Sequence, residues 1–512
     1  MQHLARRPRR PDSLRAARVL ALQPNTLCAC TRRATQGTKT AAMPNALAYI
    51  MLLIWPIIAV ALFRRLPREK ALIWSILAAY MILPPIANIN LPAVPDLDKF
   101  AIANLCALGL TVWVLHEKVS FLPSSLIGRV LIILYVVSPF ATALTNTDPI
   151  PIVMQDVPAL RMYDSVATIS YQFIALIPFF LARQLLRSEA ALKVMVGALV
   201  TAGLIYSLPM LLESRISPQL NIWVYGFFQH DFSQSMRAGG FRPMVFMPHG
   251  LWVAFFALMA AMSALIILRM GEAQDRPKQL AIFLYLALVL YTCKSVGPLV
   301  YALGLTPVIF FAPRRWQLLL AAGLAVVVIT YPLLRGAGLI PLDIILDYAL
   351  SLSPERHQSL NFRIMNEEEL LARAALKPYF GWGGYGRNLI LDAFDGRILT
   401  IPDGQWIIVL GTYGWLGYIC EFGLLIMPLI FLGREALLQR SAAFSPFACT
   451  IALIYAANLA DLLPNATLIP FTWLMAGALM GYAESLATQR RHDAAAKWKA
   501  GLAQGSGPRT VL

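Results

Sequence analysis

The sequence predicts an all-α protein, a polytopic transmembrane bundle of about 12–13 helices with one large external loop. Three observations carry that expectation. Hydrophobic residues make up 58% of the 512 residues and charged ones only 14%, too little charge to cover a soluble chain of this length. Apolar runs of about 15–22 residues recur along the chain, the length that crosses roughly 30 Å of hydrocarbon. These runs are continuously apolar and do not alternate, which argues against strands.

Taken in order, the expected spans are 46–63, 71–87, 100–115, 127–144, 166–182, 192–212, 248–268, 280–293, 297–312, 317–334, 405–432, 446–460 and 467–486. The eighth and ninth are short. No internal repeat or low-complexity tract interrupts them. Orientation follows from the Lys/Arg bias of short loops. RRLPREK (64–70) is +3, Arg314 and Arg315 add +2, and the tail after 487 is +4, whereas loops 88–98 and 145–165 are each −2. Alternation then places 64–70, 116–126, 183–191, 269–279, 313–316, 433–445 and the C-terminus inside, and 145–165, 213–247 and 335–404 outside. The chain divides into a basic leader (1–42), helices one to ten (43–334) with external loop 213–247, the large external segment 335–404, helices eleven to thirteen (405–486) and a basic cytoplasmic tail (487–512).

The net charge of +16 is unevenly spread. Residues 1–42 carry eight Arg and one Lys against one Asp, which is +8 of the total. Such an Arg-rich, acid-poor stretch fits a transit peptide, a disordered basic tail or upstream sequence preceding a start at Met43. A +8 leader would resist translocation, so the expected orientation favours Met43. The remaining charge suits basic cytoplasmic loops, and nucleic acid is not an expected partner. Cys106, Cys293, Cys420 and Cys449 lie in or beside apolar runs, and Cys28 and Cys30 lie in the leader. Neither a disulfide framework nor a metal site is expected.

Candidate chemistry concentrates in two polar segments. Segment 335–404 holds SPERHQSLNFRIMNEEELLARAALKP (353–378), a helix that Ser353 or Asn361 can cap and Pro378 ends. Within it Arg363 and Glu367 stand at i, i+4 and can pair on one face; alternatively Arg363 offers a bidentate fork to a phosphate. The glycines of GWGGYGRN (381–388) formally satisfy G-x-G-x-x-G, but no apolar strand precedes them and no helix follows. They read as a turn allowing close backbone packing, with Trp382 and Tyr385 facing the interface or an acceptor. Asp403 opens DGQWIIVLGTYGWLGY, which reads as running straight back into the membrane. Its carboxylate suits a helix N-cap or a general base. Loop 213–247 carries Arg215, Arg237 and Arg242 on the outer face, against the usual bias, suited either to lipid headgroups and ion pairs or to an anion site. Lys294 interrupts two short apolar runs, a costly position that faces the bundle interior or snorkels. Glu421, inside span 405–432, reads as a structural pairing.

Three passages together resemble the O-antigen ligase and O-antigen polymerase family of polytopic bacterial membrane proteins. They are RAGGFRPMVFMPHGLWVAFF (237–256), LVLYTCKSVGPLVYALG (288–304), and the stretch from Arg363 through KPYFGWGGYG to DGQWIIVLGTYGWLGY. The resemblance covers roughly residues 190–435. It implies a glycosyltransferase with a GT-C-type helical fold in a bacterial inner membrane, its main loops periplasmic. The implied donor is a polyprenyl-diphosphate-linked glycan and the acceptor lipid A core or a growing polysaccharide, with no cofactor. The diphosphate would fall to Arg237, Arg242, Lys294 and Arg363, the acceptor hydroxyl to Asp403, and the catalytic role to Asp403 and Arg363. Two departures matter: Lys294–Ser295 stands where the family has Ser-Arg, and Asp403 where the ligases have histidine. The competing expectations are a transporter of lipid-linked glycan and a catalytically silent component of a polysaccharide export system.

Overall fold

The structure, a computed structural model, describes residues 43–90, 95–237 and 239–505. The basic leader with Cys28 and Cys30, and the last residues of the basic tail, lie outside the described residues. In chain order the helices are α1 (Ala46–Arg65), α2 (Arg68–Ile82), α3 (Lys99–Trp113), α4 (Leu126–Leu144), α5 (Met162–Leu185), α6 (Glu189–Ile216), α7 (Leu220–Tyr225) and α8 (Gly250–Met270). There follow α9 (Arg276–Thr292), α10 (Val296–Phe311), α11 (Arg314–Gly336), α12 (Leu342–Leu352), α13 (Pro354–Ala375), α14 (Gln405–Leu438), α15 (Pro446–Asp461) and α16 (Pro470–Gly505). Among the described residues the only sheet is an antiparallel hairpin of β1 (Met236–Arg237) and β2 (Gly240–Phe241), inside loop 213–247.

Each of the thirteen expected spans is occupied by helix, twelve by a single helix and 405–432 by two helical arms. Seven helices, α1, α4, α5, α6, α8, α11 and α14, are long and apolar enough to cross a membrane, and α3, α10 and α15 are shorter apolar helices. The chain is an all-α, multi-pass helix bundle. Large apolar side chains such as Ile57 (69% exposed), Leu126 (74%) and Leu303 (76%) stay on the outer surface. In water that would be costly; against lipid it is the expected arrangement.

Local chemistry fixes the ends of the helices. Asp98 accepts the N–H groups of Phe100 and Ala101 at 2.9 and 2.8 Å, and Asn45, Ser125, Ser188 and Ser445 cap α1, α4, α6 and α15 in the same way. Lys99 is fully buried, and its ammonium donates to the carbonyls of Tyr80, Leu83 and Phe246 at 2.9–3.2 Å. One cation thus satisfies otherwise orphaned carbonyls at the end of α2 and ties loop 213–247 to the bundle. Close packing relies on small residues. Gly477 and Gly481, one turn apart on α16, press on the α5 carbonyls of Phe179 and Arg183, where a Cβ would clash.

Helix α14 is two helices. Gly414 breaks it with φ 64°, ψ −166°, into arms 405–413 and 415–438. The arms fold back on one another, since Gln405 Nε2 donates to Glu421 Oε1 at 2.9 Å. The glycine turn 381–386 seats on this reversal: Trp382 and Gly383 donate to the carbonyls of Gly411 and Thr412, and Trp415 and Leu416 to those of Pro378 and Tyr379. A Cβ at Gly381 would sit 2.5 Å from the Thr412 carbonyl, and one at Gly414 2.5 Å from that of Tyr379. Both glycines have positive φ, so close approach and left-handed backbone are required together. The chain after Asp403 therefore does not run straight through; it makes a short arm, reverses at Gly414, and only then follows the length of the bundle.

Candidate functional site

The site is built where the ends of α6, α8, α10 and α15 and the middle of α13 meet the start of α14. Its first wall is loop 213–247, folded around one carboxylate. Glu213 Oε2 accepts the N–H groups of Met244 and Val245 at 2.8 and 2.7 Å, while its Oε1 accepts that of Leu220 at 3.0 Å. That grip holds Val245 at φ 51°, a conformation a β-branched residue rarely adopts. Gln229 reinforces it through the carbonyls of Val245 and Met247.

The loop so fixed buries Arg242, which is only 6% exposed. Its Nη2 donates to Ser295 Oγ at 2.7 Å and its stem lies against Gly250, where a Cβ would come within 2.7 Å of it. Its Nε has no partner, and no carboxylate pairs with it among the described residues. Burial, then the charge of Arg237, pushes its pKa down to about 10. A buried guanidinium without a counter-ion is expensive, and an anion placed beside it would remove that cost.

Arg237 is exposed on β1. Its carbonyl accepts Lys294 Nζ at 3.2 Å. Lys294 occupies the break between α9 and α10 at φ 49°, with its ammonium tucked under Gly240. Lys294 thus braces the hairpin that carries Arg237, in addition to lending its charge.

Arg363 and Asp403 form the second wall. Arg363 Nε and Asp403 Oδ2 are 3.3 Å apart, joining α13 to the entry of α14. The Arg363–Glu367 pairing that helical spacing allows is absent. Glu367 instead accepts Trp406 Nε1 at 3.0 Å and Arg335 Nε at 3.4 Å, partners supplied by α14 and α11. Nor is Asp403 an N-cap: Gly404 holds that position and no side chain bonds the first turn. The entry is fixed by backbone, with Gln405 N–H donating to the carbonyl of Leu462 at 2.9 Å and Ile401 N–H to Asn366 Oδ1 at 2.8 Å. Burial raises the pKa of Asp403 above the ordinary carboxylate value, and the charge of Arg363 opposes that rise.

Three further groups belong to the cluster. His230 and His249 lie with ring centroids 4.7 Å apart. Asp461, 3% exposed at the end of α15, accepts Asn465 Nδ2 at 2.8 Å and Thr467 Oγ1 at 2.9 Å. Arg237, Arg242, Arg363 and His230 all act electrostatically on His249, and Arg242 and Arg363 on Asp461. Burial and those cations hold His249 well below the ordinary imidazole pKa. His230 sat in the polar loop already singled out, whereas His249 fell at the start of the expected span 248–268 and Asp461 was hidden just past the end of an apolar run.

Three expected candidates fall elsewhere. Glu421 is buried in the second arm of α14, accepting Tyr135 Oη at 3.2 Å as well as Gln405, so its pairing is with neutral donors. Trp382 stacks under Arg373, whose guanidinium is 3.6 Å from the ring centroid, with Lys377 at 4.8 Å. Tyr385 Oη bonds Asp164. Both aromatics serve the glycine turn, as does Arg387, which donates to the carbonyls of Trp382, Pro158 and Asp148.

The cluster brings arginines, a lysine and two histidines around two carboxylates. No group of three or more His, Cys, Asp or Glu that could hold a metal occurs among the described residues. The fold and this cluster define a multi-pass helical membrane protein with a cation-rich polar site at one end of the bundle. No protein-family model matches the chain, and no curated protein matches it.

Proposed function

We propose that the chain is a membrane glycosyltransferase of the O-antigen ligase or polymerase type, with a GT-C-like fold. It passes a polyprenyl-diphosphate-linked glycan to lipid A core or to a growing polysaccharide on the outer face of a bacterial inner membrane. The observation that supports this reading is the convergence of Arg237, Arg242, Lys294 and Arg363, drawn from three separate stretches of sequence, next to Asp403. A diphosphate is the ligand whose charge matches several cations without a metal.

In the reaction, the acceptor hydroxyl oxygen bonds to the anomeric carbon of the donor sugar. The bond from that carbon to the diphosphate oxygen breaks, its electron pair leaves with the diphosphate, and the hydroxyl proton passes to Asp403. Arg242 and Arg237 stabilise the charge that develops on the leaving group. Arg363 favours the ionised form of the half-buried Asp403, and its charge also attracts the same anion.

A second reading, a transporter of lipid-linked glycan, draws on the broken α14, because transporters build substrate sites at interrupted helices. One assay separates the two. Purified protein in nanodiscs, given a polyprenyl-diphosphate glycan and an acceptor, releases polyprenyl diphosphate only if it is the transferase. Movement of intact donor across a vesicle without release supports the transporter, and neither event leaves a silent assembly component. Deleting the gene and running lipopolysaccharide gels with polysaccharide sizing then distinguishes ligase, which leaves lipid-linked polymer, from polymerase, which leaves single repeat units.

A further inference from the structure

We propose that His230 and His249 are a pair of neutral Nε2–H donors aimed at a phosphoryl oxygen, and that neither is a base. The proposal rests on the anion-binding part of the proposed function. Its foundation is which ring nitrogen is already in use. Asp231 N–H donates to His230 Nδ1 at 2.7 Å, and Leu251 N–H donates to His249 Nδ1 at 3.1 Å. A nitrogen that accepts an N–H carries its lone pair there, so in the neutral ring the proton sits on Nε2. Abstracting a proton at Nε2 is then closed to both rings, because that atom already holds one.

The surroundings keep the rings neutral. His249 faces Arg242, Arg237, Arg363 and His230; His230 faces Arg242 and Asp231. Asp231 opposes this on His230 through its backbone and its charge, but burial, the larger cause, outweighs it; its Oδ1 also accepts Ser233 N–H at 2.9 Å. A second positive charge on either ring would add to that of Arg242, which has no carboxylate partner among the described residues, and burial works in the same direction. Among the described residues neither Nε2 has a hydrogen-bond partner. The pair therefore presents two donors, with ring centroids 4.7 Å apart, within the electrostatic reach of Arg242. Two donors beside arginines suit adjacent oxygens of one phosphoryl group. A metal between the rings would meet the repulsion of the same arginines.

The chemistry assigns the acid–base labour. If the histidines are donors, the proton of an acceptor hydroxyl has only the carboxylates of this cluster to go to, and since both oxygens of Asp461 already accept Asn465 and Thr467, the base is Asp403. His249 also caps α8 through Nδ1, so the two functions of its ring are separable by substitution. Asparagine imitates Nδ1 and can keep the cap; glutamine reaches farther and places an amide N–H where Nε2–H stood.

The test uses the full-length protein in nanodiscs with nitrogen-15-labelled histidine, the two signals identified with His230→Gln and His249→Gln. Long-range proton–nitrogen correlations are expected to show both rings neutral and protonated at Nε2 near neutral pH. Inorganic pyrophosphate is expected to shift both Nε2 signals. An Nδ1–H tautomer, an imidazolium at neutral pH, or a shift on adding zinc but not pyrophosphate overturns the proposal. Pyrophosphate affinity is expected to stay within about threefold in His249→Gln and to weaken about tenfold or more in His249→Asn, the loss that one hydrogen bond to a charged group corresponds to. Equal affinity in both variants makes the ring structural and also overturns it. Nanodiscs with and without phosphatidylglycerol separate the sources: shifts caused by the lipid and not displaced by pyrophosphate keep the donor pair but assign it to a headgroup. Loss of glycan transfer with these shifts intact counts against the proposed reaction alone.

Discussion

Gln405 and Glu421 lie sixteen positions apart, on the two arms of α14 either side of Gly414, and yet share a 2.9 Å hydrogen bond. In a straight helix roughly 24 Å would separate them. The reversal at Gly414 closes that distance and turns the start of α14 back toward the cluster. Asp403, two residues before Gln405, is placed by this fold-back.

Gly414→Ala is expected to be structurally severe. The new Cβ meets the Tyr379 backbone at 2.5 Å, and φ 64° is left-handed. Backbone strain of this kind costs on the order of 1–3 kcal/mol, and the clash adds to it. Thermal melts of the detergent-solubilised protein should show a clear loss. Wild-type melting would mean that the arms do not fold back here.

Glu421→Ala strands the Tyr135 and Gln405 donors, at a cost of about 1–3 kcal/mol for each group left buried without an acceptor. Glu421→Gln retains one acceptor oxygen and should lose less. The two melting temperatures, compared directly, check this order. A charge-dependent role would make the glutamine variant as poor as the alanine one.

Arg363→Ala and Asp403→Asn are each expected to lower glycan transfer about 10²- to 10³-fold, as removal of a preorganised electrostatic group does. Stability should barely change, because a partly exposed ion pair contributes roughly 0–1 kcal/mol. In a double-mutant cycle the two losses should be far from additive. Additive losses would separate the residues functionally.

The pH profile has a defined sign. Asp403 must be ionised to take a proton, and burial raises its pKa while Arg363 lowers it. Transfer should fall on acidification, with its midpoint above the ordinary carboxylate value of 3.8. Arg363→Gln removes the opposing charge and should move that limb to still higher pH in the residual activity. A limb that stays put, or moves down, assigns the titration to another group.

Gly240→Ala tests the brace under the hairpin. Its Cβ lands on Lys294 Nζ, the far end of a flexible side chain, so the fold should survive. The ammonium is displaced from the Arg237 carbonyl, and pyrophosphate binding should weaken several-fold, as in Lys294→Met. Unchanged affinity in both variants would remove Lys294 from the anion site.

Much of this architecture was legible in one dimension. A run of apolar residues needs no partner to declare a helix, because lipid or protein satisfies it equally, and the thirteen expected segments are all occupied by helix. Costly residues declared themselves too: Arg237, Arg242, Lys294 and Arg363 stood out because cations in a mostly apolar chain require a reason. Even the glycine turn was readable as a close packing device, since Gly381 and Gly383 leave room that other residues fill.

Pairing was not legible. Spacing offered Glu367 to Arg363, but α11 and α14 claimed Glu367 with buried partners and left Arg363 to Asp403, forty residues away. Periodicity is blind to a reversal made by one glycine inside an apolar run, and to an acid such as Asp461 that closes one. The sequence by itself determined that there are helices and that cations gather in two polar segments, because burial and helix propensity are local. Only the tertiary structure decided that those cations meet one another, two histidines and two carboxylates, because contact between distant side chains is set by how the helices pack.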